Sequence, residues 1–316
     1  MPASFDPLAT RTERELRHDH VGPASTRCTL GVSVIIPVYN EELCVAGTIR
    51  SVQQTLLDSR HEFEVIVVND GSTDRTPWIL ERLTGVRVIH HRTNRGYGAS
   101  LKTGIHRARF PLIAILDADG TYPVDQLLPM LELVDEQCDM VVGARLGKQV
   151  HQSWLRAVIK QLLRRYAEWL TNHSIPDLNS GMRVFRKQQA ERFSNLLPNG
   201  FSFTSTITMA MLRHHYHVEF VAIDYYPRIG KSKIRPVRET LNFLQLIVRT
   251  AFYLAPVRVL LPIAGLLFAV FGAMLAWDLY FVHDVTGRTQ LLMTAALQIG
   301  MFALLADLIH KRSLAR

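Results

Sequence analysis

Two hydrophobic patterns divide this chain. From Val32 to about Ala144, short runs rich in Val and Ile alternate with stretches of helical spacing, and from Val259 onward stand two long windows that are nearly all apolar. The first pattern predicts strands at VSVIIPVY, FEVIVVND, VRVIHH, LIAILDAD and Met140 to Ala144. Between them the spacing predicts helices from Glu41, from Asp74, from Tyr97 and over Val124 to Glu136, followed by a long amphipathic helix over Ser153 to Asn172. Val/Ile runs without polar interruption fit strands buried on both faces, and their alternation with helices marks a mostly parallel α/β sheet.

The second pattern consists of two windows, Val259 to Trp277 and Leu291 to Ile309, each long enough to cross a hydrocarbon core of ~30 Å. Two in succession predict a transmembrane hairpin. Lys231, Lys233, Arg235, Arg238, Arg249 and Arg258 precede it, Lys311, Arg312 and Arg316 follow it, and only Arg288 lies between. The positive-inside rule then places both chain ends in the cytoplasm. Asp307 sits near the exit beside Lys311 and is expected to snorkel. Over Pro236 to Leu254, Leu241, Leu244, Ile247, Val248 and Phe252 alternate with Arg238, Glu239, Asn242, Gln245 and Arg249, the stripe of a helix lying in the membrane surface. Residues 1 to 30 show little apolar periodicity and read as a disordered tail without the apolar core of a secretory signal.

Charge sharpens the picture. Lys and Arg number 36 against 28 Asp and Glu, a net charge of +8. Nucleic acid is one partner for a basic chain, but no interleaving of basic and aromatic residues and no nucleic-acid motif supports it. The basic residues gather beside the amphipathic stretch, where they suit anionic headgroups or the phosphate of a lipid. Cys28, Cys44 and Cys138 are scattered and odd in number, and the histidines, His90, His91, His214, His215 and His217 among them, show no metal-ligand spacing.

Parallel strands deliver their carboxyl ends to one edge, where open α/β sheets bind ligands. The fourth predicted strand ends in Asp117, Ala118, Asp119, a carboxylate pair suited to a hard cation such as Mg²⁺ or Mn²⁺ and to the diphosphate it accompanies. Taken alone, Asp119-Gly120 also suits a plain turn. Two earlier strands end in polar loops on that edge, Pro37 to Glu41 and Asn69 to Asp74. There Tyr39 offers a ring to a base, Glu41 and Asp70 accept hydrogen bonds, and Ser72 or Asp74 can cap a helix. The run Asn94 to Ser100 is not a dinucleotide fingerprint, because Leu101 stands where a third Gly is needed.

VSVIIPVYNEE, VIVVNDGSTDRT, NRGYGASLKTGI and LDADGTYP, in that order, resemble the family 2 glycosyltransferases over about residues 31 to 235. Within that family the chain is similar to the dolichyl-phosphate mannosyltransferase or polyprenyl-phosphate glycosyltransferase type, through VVGAR, SWLRAVIKQLLRR and YYPRIGKSKIRP. The resemblance implies a GT-A fold that binds a nucleotide sugar, with Asp117 and Asp119 on the metal. It implies donor contacts at Pro37, Tyr39, Glu41, Val68, Asp70, Asp117, Ala118, Asp119 and Arg228, and Arg145 and Arg156 completing the catalytic set with the two aspartates. It implies Arg156, Asp177, Ser180, Ser232 and Lys233 for the acceptor phosphate or sugar. The sequence departs from relatives at Thr121, which stands where a Gln often completes the metal site, and in a basic loop one residue shorter than usual.

The implied reaction moves one sugar to polyprenyl phosphate. A phosphomonoester is ionised at neutral pH, so it attacks the anomeric carbon without a strong base and inverts it. A hydroxyl acceptor would instead need a base, for which Asp177 is the candidate, and a catalytically inactive scaffold would have little reason to keep Asp117 and Asp119. A processive synthase would carry Q-x-x-R-W, whereas Gln189 to Phe193 reads Q-x-x-R-F on an apparently exposed helix. The expected organisation is a tail over 1–30, the catalytic domain over 31–235, the interfacial helix over 236–254 and two spans over 255–316, at about 257–279 and 289–310. Two spans per chain are compatible with a homo-oligomer.

Overall fold

The computed structural model describes residues 30–146, 154–227 and 256–314. The expected tail (1–30, apart from Leu30) and interfacial helix (236–254), together with Arg228, Ser232 and Lys233, lie outside them.

A seven-stranded sheet forms the centre, in the order β3-β2-β1-β4-β6-β5-β7. Its strands are β1 (Val32–Val38), β2 (Phe63–Asn69), β3 (Arg87–His90), β4 (Leu112–Ile115), β5 (Met140–Arg145), β6 (Arg183–Arg186) and β7 (Val218–Ile223). All run parallel except β6, which lies antiparallel between β4 and β5. The helices of the domain are α1 (Val45–Leu57), α2 (Thr76–Leu80), α3 (Tyr97–Arg107), α4 (Leu127–Leu133), α5 (Trp154–Thr171), α6 (Lys187–Arg192) and α7 (Phe203–Arg213).

Every residue of β1 is buried, and its alternation splits the core in two. Val32, Val34, Ile36 and Val38 join α1, α2 and α4 on one face, through Ile49, Leu80 and Leu131 among others. Ile35 faces the opposite way, toward Leu101 and Ile105 of α3, Ala167 and Leu170 of α5, and Phe203 and Ile207 of α7. A side-chain period of two, with apolar residues at both phases, is what a sheet covered on both faces demands.

Several expected bounds shift. Helix α1 begins at Val45 rather than Glu41, because the Cys44 and Val45 amides close a turn on the Glu41 carbonyl (3.1 and 3.0 Å). The expected helix over Val124 to Glu136 splits into a 3₁₀ turn at Val124–Gln126 and α4. The Q-x-x-R-F helix exposes Gln188, Glu191 and Arg192 but buries Gln189 and Phe193 (7 and 5 % exposed) against the domain.

Beyond the sheet, α8 (Pro256–Trp277) and α9 (Gly287–Leu314) pack along each other. By length and composition both can cross a membrane, with mean hydropathy of 2.5 and 1.9 over their apolar windows. Ala264, Ala296 and Ala303 are buried while Leu266, Phe302 and Leu304 face outward, a pairing of small residues that lets two helices approach closely. The connection is closed by Asp278, whose Oδ2 accepts from the Thr286 amide (2.9 Å) and from the hydroxyls of Thr286 (2.7 Å) and Thr289 (2.6 Å).

Candidate active site

The carboxyl ends of β1, β2, β4 and β5 converge on one edge, and their loops are stitched together by short polar contacts. Asn40 takes the left-handed conformation (φ 53°), its Oδ1 accepts from the Thr73 amide (2.7 Å), and its own amide donates to Ser72 Oγ (2.9 Å). The Glu41 amide donates to Thr76 Oγ1 (3.0 Å). Tyr39 and Glu41 are half-buried at this seam. Pro37 and Val68 are register partners whose side chains are buried, so only their backbone can meet a ligand.

Asp70 is 3 % exposed and holds the edge in shape. Its Oδ1 accepts from the His91 ring (2.7 Å) and the Arg95 amide (2.9 Å), and its Oδ2 accepts from the Gly96 amide (2.8 Å). Gly96 has φ 100°, which a side chain rarely adopts, and a Cβ on Gly98 would overlap the carbonyls of Pro198 and Gly200. These glycines therefore let the 198–200 segment close on the start of α3.

The carboxylate pair follows β4. Asp117 is half-buried and its Oδ1 accepts from the Tyr97 hydroxyl (2.9 Å). Asp119 is 8 % exposed, and its Oδ1 accepts from the amide (3.2 Å) and hydroxyl (2.6 Å) of Thr121. Thr121 thus orients Asp119. Ala118 is buried, and its carbonyl accepts from Thr48 Oγ1 (3.2 Å). Burial, then the neighbouring Asp117 charge, raises the Tyr97 hydroxyl well above its ordinary pKa, so it stays a proton donor to that carboxylate.

Opposite Asp117 lies Gly181, where a Cβ would stand 2.7 Å from Asp117 Cγ. The Gly181 amide donates to Tyr122 Oη (2.6 Å). Arg183, fully buried, secures the same segment: Nε donates to the Ser180 carbonyl (2.9 Å), Nη2 to Leu178 (3.2 Å), and Nη1 to the Thr204 carbonyl (2.9 Å) and Thr208 Oγ1 (2.6 Å). Burial pulls its pKa down to about 10, which still leaves the guanidinium charged at neutral pH. A buried guanidinium bonded to carbonyls and hydroxyls is a brace. Ser180, expected at the sugar, is fully buried and its Oγ accepts from the Met182 amide (3.3 Å).

Arg145, at the end of β5, forms a fork with Asp177. Its Nε and Nη2 donate at 2.7 and 3.0 Å, and its backbone amide adds a third bond at 3.1 Å. The Asn179 amide (3.1 Å) also donates to Asp177 Oδ1. Burial opposes charge on both groups, but the paired bonds overcome it, holding the Asp177 carboxyl below the ordinary aspartate range and pushing the Arg145 pKa up. Arg156 lies in the first turn of α5, and its side chain is outside the described residues.

A folded-state carboxyl with a depressed pKa contributes stability that is complete above its unfolded value and drains away as pH falls through the folded one. Replacing Asp177 by Asn is therefore expected to cost about 2–3 kcal/mol at pH 7, below the range for a fully buried pair because Arg145 keeps some solvent. Thermal unfolding of both proteins between pH 3 and 7 checks this. The gap should hold steady down to about pH 4, the ordinary aspartate range, and narrow as pH falls further.

A divalent cation fits this edge by donor chemistry: two carboxylates supply oxygen ligands, and the bare Gly181 backbone lets the Asp117 carboxyl lie where a Cβ would clash with it. Among the described residues a cavity of about 330 Å³, lined by Pro123, Leu146, Ile223 and Tyr226 among others, opens on the same edge. Sequence reasoning missed Tyr97, Tyr122, Gly181 and Arg183. Tyr97 and Tyr122 stand in NRGYGASLKTGI and LDADGTYP, and Gly181 and Arg183 in the run Asn179 to Arg183, but the partners that give them their roles lie in other segments. At the opposite ends of the strands Cys138, His217 and Glu219 bring ligand atoms within 4.8 Å of one another, which no spacing in the sequence announced.

The sequence signature "Glycosyl transferase family 2" matches residues 33–193, from β1 to the end of α6. The chain is 29 % identical to the dolichyl-phosphate hexose transferase of Haloferax volcanii over 65 % of its own length and 87 % of that protein. It is 27 % identical to the polyprenol monophosphomannose synthase of Mycolicibacterium smegmatis (67 and 84 % covered). It is 28 % identical to the undecaprenyl-phosphate 4-deoxy-4-formamido-L-arabinose transferase of Proteus mirabilis (81 and 78 % covered). In fold it resembles glucosyl-3-phosphoglycerate synthase from Mycobacterium tuberculosis in complex with Mn²⁺, UDP and phosphoglyceric acid, with a TM-score of 0.57 at 18 % identity over 70 % of this chain and 78 % of that one. The sheet is thus of GT-A type, and a signature that spans more than half of the sequence and includes both Asp117 and Asp119 leaves one assignment: the chain belongs to glycosyl transferase family 2.

Proposed function

We propose that this transferase moves a single sugar from a nucleotide diphosphate donor to a polyprenyl phosphate, with inversion, on the cytoplasmic face of a membrane. One observation carries the choice of acceptor. Asp177, the candidate base that a hydroxyl acceptor would need, spends its oxygens on the Arg145 fork and on the Asn179 amide and is held ionised with a depressed pKa. A carboxylate so committed is a poor proton acceptor. A phosphate acceptor needs none, because it arrives ionised. Relatives named for dolichyl, polyprenol and undecaprenyl phosphates, and the two apolar helices, support the same reading.

In this reading Tyr39 and Glu41 meet the base, the backbones at Pro37 and Val68 line its slot, and Asp70 holds the slot through the Gly96 amide. Asp117 and Asp119 hold Mg²⁺ or Mn²⁺, both of which occur in UDP complexes of the structural neighbour. When bound, that cation supplies charge to offset the departing nucleoside diphosphate. Tyr97 keeps Asp117 aimed, and Thr121 keeps Asp119 aimed. Arg145, Arg156 and Arg228 provide the positive field that brings two polyanions together, and Ser232 and Lys233 take the acceptor phosphate. Both termini and the catalytic domain are cytoplasmic, and association of hairpins into a homo-oligomer is compatible with this arrangement.

The test uses the full-length protein in detergent with Mg²⁺ or Mn²⁺, a panel of labelled nucleotide sugars, and either a short polyprenyl phosphate or an oligosaccharide. Label is expected in the lipid phosphate alone, and the donor that gives it names the sugar. Label in the oligosaccharide, or in neither acceptor, sinks the proposal.

A further inference from the structure

The last turn of α5 leaves carbonyls that the helix itself does not use. The Ala167 carbonyl receives Thr171 Oγ1 (2.8 Å), and that of Glu168 receives the Asn172 amide (2.7 Å), with Asn172 left-handed at φ 61°. The Thr171 carbonyl meets His173 Nδ1 (2.9 Å). Those of Trp169 and Leu170 are taken by a residue far along the chain: Arg258 Nη1, in the first turn of α8, donates to them at 2.7 and 3.0 Å. The guanidinium carbon also stands 5.8 Å from the Trp169 ring. A cation at a helix C-terminus gains from the dipole as well as from the bonds.

Helix α5 belongs firmly to the catalytic domain, since Ala167 and Leu170 are buried in the sheet's core. Its other end follows β5, whose last residue is Arg145, and carries Arg156. At the Arg258 end, Trp169 is 48 % exposed beside Tyr166, the kind of aromatic pair that settles at a membrane surface. An arginine at the mouth of a span ordinarily reaches for headgroups or water. Here it reaches for backbone carbonyls of the soluble domain instead.

We infer that Arg258 is a positioning residue that pins the membrane hairpin to the C-terminus of α5 and thereby fixes the catalytic edge with respect to the bilayer in which the acceptor is embedded. The inference rests on the lipid-phosphate reading above. If the pin were cut, chemistry at the site would persist, but the domain would lose its fixed height and tilt over the membrane. An acceptor long enough to stay in the bilayer would then meet the edge less often, whereas a short acceptor free in detergent would come to it.

The experiment compares wild type, Arg258→Gln and Arg258→Lys, each full-length, in lipid nanodiscs with a long-chain polyprenyl phosphate and in detergent with a short-chain one. Arg258→Gln is expected to lower kcat/KM for the long acceptor about tenfold, to leave the KM of the nucleotide sugar unchanged, and to keep the wild-type rate with the short acceptor. Arg258→Lys should recover part of the loss. Equal losses with both acceptors, or none with the long one, overturn the pin. A wild type active on neither acceptor sinks the acceptor reading instead. Amide hydrogen exchange over Leu170 to His173 judges the pin without any acceptor: it should quicken about tenfold in Arg258→Gln, and unchanged exchange overturns the pin.

Discussion

Asp119→Asn is expected to lower sugar transfer by about 10²–10³-fold while leaving the thermal midpoint within a few degrees of wild type. The change is nearly isosteric. The amide oxygen of Asn can still accept from the Thr121 amide and hydroxyl, so the turn after β4 keeps its bonds. What disappears is one negative charge at a position only 8 % exposed, where a cation's loss of a carboxylate ligand is least compensated by water. Activity with excess Mn²⁺, and Mn²⁺-dependent binding of a nucleoside diphosphate, should fall together. Turnover within tenfold of wild type, with metal dependence intact, would remove Asp119 from the metal site.

That prediction rests on residues legible in the sequence, and the reason is local. Asp117 and Asp119 are two positions apart at the end of a buried run, so the strand that positions them and the chemistry they offer are read from the same few letters. Strands β1, β2 and β4 were equally legible, because burial on both faces writes an unbroken apolar run. The elements that escaped are those whose identity depends on distant partners. Strand β6 is four residues long and exists because β4 and β5 flank it, and α7, with Thr204, Thr206, Thr208 and Ile207, carries β-branched residues that suit a strand as well as a helix. Among site residues, Asp177 was legible as an acid in a Ser-Gly segment, but its partner Arg145 lies 32 positions away, and only the fork turns a candidate base into a fixed ion pair. Arg183 reads as one more basic residue until the fold encloses it. Asp70 reads as a ligand-facing acid, and the structure gives its oxygens to His91, Arg95 and Gly96.

Gly181→Ala should reduce transfer by about 10²-fold, with a smaller cost in stability of about 1–3 kcal/mol, because one methyl group is placed where the Asp117 carboxyl now lies. Two outcomes compete: the backbone at 181 retreats, or the carboxylate swings aside. The backbone is the stiffer side. The Gly181 amide is held by Tyr122 Oη, and the carbonyls of Leu178 and Ser180, which flank the glycine on its N-terminal side, are held by Arg183, a side chain with no exposure and four bonds of its own. Asp117 is half-buried, and its carboxyl can change rotamer at the cost of the Tyr97 bond, so it is the side that moves. A displaced Asp117 predicts weaker Mn²⁺ binding with the sheet intact, to be read by metal titration beside a thermal scan. Tyr122→Phe supplies the control within a double-mutant cycle. Without the Tyr122 hydroxyl the backbone at 181 can yield, so adding Gly181→Ala to Tyr122→Phe should cost less than adding it to wild type. If Gly181→Ala stays within threefold of wild type, the close approach of Gly181 to Asp117 does not set the geometry of the metal site.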